Sequence, residues 1–187
     1  MQTPRLLLAL YGPTGSGKTT LARHLVEAHG AALVKIADPL YAIHDYYYQA
    51  IGRQVVDKDG ELLQFLGSKV ERDWPGWLAE HFLQQVQRVQ GLVVNDDSRI
   101  SSYAPMRSEG FVFVRISASA ETRRLRRQET FRPVDESHPL ELGFDGYEPD
   151  GNIDNDGPLE IACAQLDALL AALLAGERSA HKMPLES

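Results

Sequence analysis

Residues 12–19 read Gly-Pro-Thr-Gly-Ser-Gly-Lys-Thr, a full match to the pattern G-x-x-x-x-G-K-[ST]. The loop follows a continuous apolar run, Leu6 to Tyr11, the pattern of a strand buried on both faces. It opens into Lys18–His29, where Leu21, Leu25 and Val26 recur at helical spacing before Gly30 stops the helix. Strand, glycine loop and helix in that order form a concave anion site. Successive backbone N–H groups line it, and the helix N-terminus reinforces it. Gly12, Gly15 and Gly17 permit close backbone approach and positive φ. Lys18 is expected to reach the β- and γ-phosphates of ATP, and the Thr19 hydroxyl to ligate Mg²⁺. Ser16 and Thr20 complete the expected nucleotide-binding set. The bland alternative, a glycine-rich turn with a solvated lysine, does not account for the strand before it and the helix after it.

The rest of the chain alternates in the same way. Short strands are expected over Ala32–Ala37, Leu92–Val94, Phe111–Ile116 and Asn152–Ile153. Helices are expected over Glu61–Lys69, Trp77–Gln90, Ala120–Gln128 and Leu159–Leu174, with Leu40–Ile51 ambiguous and Tyr103–Glu109 short. This predicts an α/β protein, three layers deep (α/β/α), with a mostly parallel central sheet and right-handed crossovers. One domain is expected over residues 1–176, with a small basic lid at about 118–140 and a flexible tail over 177–187. In such sheets ligands sit at the carboxyl ends of the strands. Gly12, Asp38 and Asp97 each follow an expected strand and should therefore face one cleft.

The net charge of −7 argues against generic binding to nucleic acid or to an anionic membrane. The apolar start of the chain is too short for a membrane span, so a cytoplasmic protein is expected. The single cysteine, Cys163, excludes an intramolecular disulfide and falls in an Ala/Leu-rich helix, where core packing is expected. The six histidines show no recognised metal spacing, so no metal beyond substrate-borne Mg²⁺ is expected.

No guanine-reading Asn-Lys-x-Asp segment is present, and the chain is short for a motor ATPase. The small size and the early phosphate loop suggest a nucleoside or nucleotide kinase, which works by positioning its reactants and neutralising the transferred phosphoryl group. Asp97 and Arg99 follow the third strand. The carboxylate there suits Mg²⁺ or acceptor orientation, and the guanidinium suits a phosphate. A loop ion pair is the alternative. Asp38 is an acceptor-side candidate or simply a residue at a helix start. Arg123 and Arg127 share a helical face within a dense arginine run, with Arg132 beyond it; they read as lid residues or as a solvated basic helix. Trp74 and Trp77 flank Pro75-Gly76 and either wall a base pocket or pack.

Later segments resemble the bacteriophage-type deoxynucleoside monophosphate kinases, a branch of the P-loop nucleotide kinases. The resemblance rests on Leu63-Gln-Phe-Leu-Gly67-Ser with Arg72 and Trp77-Leu78, and on Val93-Val94-Asn95-Asp96-Asp97-Ser98-Arg99. It rests also on Ser137-His138-Pro-Leu-Glu141 followed by Ile153-Asp-Asn155-Asp156-Gly157-Pro-Leu-Glu160, and it spans about Leu6 to Leu170. It implies ATP-dependent phosphorylation of a deoxynucleoside 5′-monophosphate and is compatible with a homodimer. By position it places Lys18, Asp97 and Arg99 at the reaction centre, Asp38, Arg72 and Trp77 on the acceptor side, and Asn155-Asp156-Gly157 in a turn near the adenine. His138 and Glu141 would close the lid region. The segment between Tyr48 and Trp77 is shorter than the family's pattern, and Asp96 adds a carboxylate beside Asp97. These departures bear on acceptor identity. They leave open a 5-hydroxymethyl pyrimidine nucleotide, the hydroxymethyl group of such a base within DNA, or a nucleotide-binding regulator without turnover.

Overall fold

The computed structural model describes residues 5–54, 58–129 and 147–176, with the backbone alone for 127–129. Five strands form one wholly parallel sheet: β1 (Leu6–Tyr11), β2 (Ala32–Leu33), β3 (Leu92–Asn95), β4 (Val112–Ser117) and β5 (Gly151–Asp154), in the order β2-β3-β1-β4-β5. The helices are α1 (Lys18–His29), α2 (Asp38–Ala50), α3 (Gly60–Asp73), α4 (Trp77–Gln87), α5 (Ile100–Ser108), α6 (Ala120–Glu129) and α7 (Leu159–Leu174). The expected α/β class and parallel sheet are found.

The central strand shows how sequence becomes layers. Leu7, Ala9 and Tyr11 point to one side of the sheet and Leu8 and Leu10 to the other, the two-residue alternation of a strand. The first set packs with Leu40 of α2, Phe82 and Val86 of α4 and Met106 of α5. The second packs with Leu21 and Leu25 of α1 and with Ala162, Leu166 and Leu170 of α7. Because both faces are covered, β1 is a continuous apolar run rather than an alternating one. Cys163 lies half-buried against the second cluster, the packing place expected for it.

Some element bounds differ from expectation. β2 ends at Leu33 rather than Ala37. Its continuation is pulled out of the sheet where the backbone amides of Ile36 and Ala37 turn to the Asp97 carboxylate. The ambiguous Tyr-rich segment is a helix, α2, with Pro39 in its first turn. Helix α3 runs four residues beyond Lys69 to Asp73 and is opened by Asp59, whose side chain accepts from Leu62 N. No helix among the described residues is long and apolar enough to cross a membrane. The lid beyond residue 129, with Arg132, His138 and Glu141, and the tail over 177–187 lie outside the described residues.

Candidate active site

In this strand order β1 lies between β3 and β4, so the loop that leaves β1 sits at the middle of the sheet's carboxyl edge. Three segments hold it from outside. A Cβ on Gly12, whose φ is +143°, would lie 2.2 Å from the Ile116 carbonyl oxygen of β4. A Cβ on Gly17 (φ +98°) would lie 2.1 Å from Asn155 Nδ2. The Asn155 side chain, buried after β5, donates to the Ser16 carbonyl at 2.7 Å, while its own amide donates to Ser117 O at 2.8 Å. The glycines are therefore required by close approach as well as by φ.

Lys18 Nζ donates to the carbonyls of Gly12 at 2.6 Å and Pro13 at 3.2 Å, so its ammonium arches over the loop. Helix α1 starts at Gly17 with no side-chain cap and no acidic residue in its first turn. Its first N–H groups thus meet neither a competing side-chain oxygen nor a nearby carboxylate, which suits an anion. The Ser16 hydroxyl is fully buried without a hydrogen-bond partner among the described residues, and Thr19 and Thr20 are exposed on the first turn. This donor set fits a phosphate chain with Thr19 as a Mg²⁺ ligand.

The basic helix meets the loop at Arg123 and Arg126. Arg123 contributes its backbone, which closes on Gly15. Arg126 donates through Nη2 to Asn155 O at 2.9 Å, and its Nη1 would lie 3.8 Å from a Cβ on Gly17. Arg126 thus brings its guanidinium to the loop from within the arginine run; the Arg127 side chain is outside the described residues. Asp156 accepts from Ser119 N at 2.8 Å, fixing the entry to α6. Asn155 and Asp156 therefore buttress the loop and the basic helix, and Gly157 lies in the turn that leads to α7.

At the ends of β2 and β3 the carboxylates are spoken for. Asp97 accepts from Ile36 N (2.9 Å), Ala37 N (3.0 Å) and Asn95 Nδ2 (2.7 Å). Burial pushes its pKa up, against the pull of those three donors. Through these contacts it holds the β2–α2 turn. Asp96 is buried and ion-paired with Lys35, 2.8 Å away. Lys35 is a residue that sequence reading missed; its signal is the position just after β2. Asp38 is exposed, and its Oδ2 accepts from Lys35 N at 3.3 Å.

Beside these ends opens a pocket of about 360 Å³. Ile36, Gly67, Ser68, Arg72, Arg99 and Ser102 line it, together with residues from the start of α4. Gly67 is buried inside α3, and a Cβ there would lie 3.6 Å from Arg99 Nη1, so the guanidinium runs along the bare face of that helix. Arg72 reaches the pocket from the next turn, with its Nε on Asp73. Arg72, expected on the acceptor side, and Arg99, expected at the reaction centre, thus line one cavity. Trp77 is not in its lining: it stacks on His81, with ring centroids 5.0 Å apart.

No family model matches this sequence, and no curated protein does. Solved structures do resemble it in fold. A gluconokinase from Sinorhizobium meliloti 1021 superposes with a TM-score of 0.59 at 19% identity, over 95% of this chain and 97% of that one. A sugar kinase from Janibacter sp. HTCC2649 gives 0.55 at 20%, over 92% and 98%. A shikimate kinase from Acinetobacter baumannii, solved with shikimate, gives 0.52 at 16%, over 94% and 95%. At such identities the likeness is one of fold alone.

Proposed function

We propose that this chain is an ATP-dependent phosphotransferase whose acceptor is a deoxynucleoside 5′-monophosphate. The observation that carries the reading is the pairing of two anion sites along one sheet edge. One is the uncapped N-terminus of α1 behind the glycine loop, and the other is the pocket holding Arg72 and Arg99. A kinase acting on a nucleotide must hold two phosphate-bearing groups in register, and guanidinium forks suit the terminal phosphate of a nucleotide. The sequence resemblance supplies the nucleotide.

Bound ATP supplies the γ-phosphoryl group, with Mg²⁺ neutralising its oxygens. The chain's own contribution is positional. Loop amides and Lys18 take the phosphates, Thr19 offers its hydroxyl to the metal, and Arg126 adds charge from α6. Arg99 and Arg72 fix the acceptor phosphate, while Asp97 keeps the β2–α2 turn in place beneath it.

A second reading is favoured by one feature. The residues lining the pocket include Ser68, Ser101 and Ser102 but no aromatic ring to stack a base. That lining also suits a small hydroxylated carboxylic acid, the kind of acceptor that the names of the gluconokinase and the shikimate kinase state for those proteins. ADP release separates activity from mere binding. The first reading predicts that deoxynucleoside monophosphates stimulate ADP formation and that Lys18→Ala abolishes it without unfolding the chain. Normal turnover by that variant would contradict the assignment of the loop.

A further inference from the structure

Away from the phosphate loop, on the other side of α1, two histidines and an aspartate converge. His24 Nε2 and His29 Nε2 each lie 2.7 Å from the same oxygen, Asp167 Oδ1. The three ligand atoms all fall within 4.8 Å of one another. His24 and His29 belong to α1 and Asp167 to α7, so the cluster bridges two helices. Both helices are fixed by the core beneath: Leu21 and Leu25 on α1, Leu166 and Leu170 on α7. None of these three residues belongs to the site described above, and the sequence spacing of the histidines gave no hint of them.

We propose that His24, His29 and Asp167 form a binding site for a borderline transition-metal cation of the Zn²⁺ class. Two imidazoles and one carboxylate are a ligand set for such ions, with the remaining position open to water. Hard Mg²⁺ prefers oxygen ligands and retains its own water, so the site discriminates against the ion that accompanies ATP. Its place in the fold helps. His29 is the last residue of α1, where the negative end of the helix dipole favours a cation. The rings approach edge to face, 5.8 Å between centroids, so small side-chain rotations can draw both Nε2 atoms inward around an ion. Cys163, one turn earlier on α7, is not among the converging groups, so the ligand set is nitrogen and oxygen.

The consequence is a clasp between the two helices that flank the phosphate loop. Helix α1 leaves the loop at Lys18, and α7 follows the turn in which Asn155 grips Ser16. Tying them holds the loop's two supports together.

The test uses the full untagged chain, freed of metal with chelator. Zn²⁺ alone is titrated by calorimetry, and Co²⁺ reports geometry through its visible absorption. One equivalent is expected, with a higher melting temperature and the intense bands of tetrahedral cobalt. Mg²⁺ at the same concentration should give none of these. His24→Gln, His29→Gln and Asp167→Asn should each weaken binding by at least roughly 100-fold. Circular dichroism in chelator should show all three folded as the wild type, since the residues are partly exposed. His44→Gln and His81→Gln should bind as the wild type. Absence of a stoichiometric site in the wild type, or unchanged affinity in the three cluster variants, would overturn the proposal.

Discussion

At the scale of single residues, the phosphate loop is held by contacts that leave no room for a methyl group. A Cβ on Gly17 would fall on Asn155 Nδ2, and the backbone there is left-handed as well. Gly17→Ala is therefore expected to weaken ATP binding through two separable causes, a clash and backbone strain. Asn155→Ala removes the clashing atom but also the hydrogen bond to Ser16 O, a loss of about 1–3 kcal/mol for a buried partner. The two substitutions should be non-additive: in the Asn155→Ala background, Gly17→Ala should cost less than it does alone. Additive effects on ATP affinity, measured by calorimetry, would mean that the grip on Ser16 does not shape the loop. The motif itself was legible because its mechanism is local, eight consecutive residues between a strand and a helix. Its supports were not. Arg126 lies beside Asn155 only because α6 and the β5–α7 turn are neighbours in the fold, and helical spacing alone favoured Arg123 with Arg127.

At the scale of elements, strands and helices with strong apolar patterns were readable from the sequence. The bounds of β1, α1 and α7 agree with their apolar periods. β2 was overestimated because the apolar pattern runs past the ladder: Val34 N still donates to Val94 O at 3.0 Å, whereas Ile36 is buried with its amide on Asp97. Helix α3 carries a further prediction. Its cap, Asp59, accepts from Leu62 N at 2.9 Å and from Tyr48 OH at 2.8 Å. The Leu62 amide first, then the Tyr48 hydroxyl, hold its pKa below the usual carboxylate value. A depressed folded pKa contributes stability above the unfolded value, and that contribution is lost as pH falls through the folded one. Asp59→Asn should therefore melt below the wild type at neutral pH, with the gap closing below about pH 4. A gap that stays constant with pH would show that the charge of Asp59 contributes nothing to the cap.

At the scale of the molecule, two arginines, a glycine-bared helix face and three serines come from separate segments to make one pocket. Only Arg72 and Arg99 could be singled out in advance, because a guanidinium after a strand or within a family-like segment is a local signal. The lining as a whole depends on how α3, α4 and α5 close over the sheet edge, which no local pattern encodes. For the same reason the nature of the acceptor is the point at which the sequence resemblance and the pocket's polar lining pull apart. The direct measurement is transfer of label from [γ-³²P]ATP to three sets of acceptors in parallel. These are deoxynucleoside 5′-monophosphates including 5-hydroxymethyl forms, small hydroxylated acids such as gluconate and shikimate, and DNA carrying the same modified bases. The account predicts label on a mononucleotide, lost in Lys18→Ala and slowed in Arg99→Ala by a raised acceptor KM. Label confined to a hydroxylated acid or to DNA, or transfer to none of the three, would contradict it.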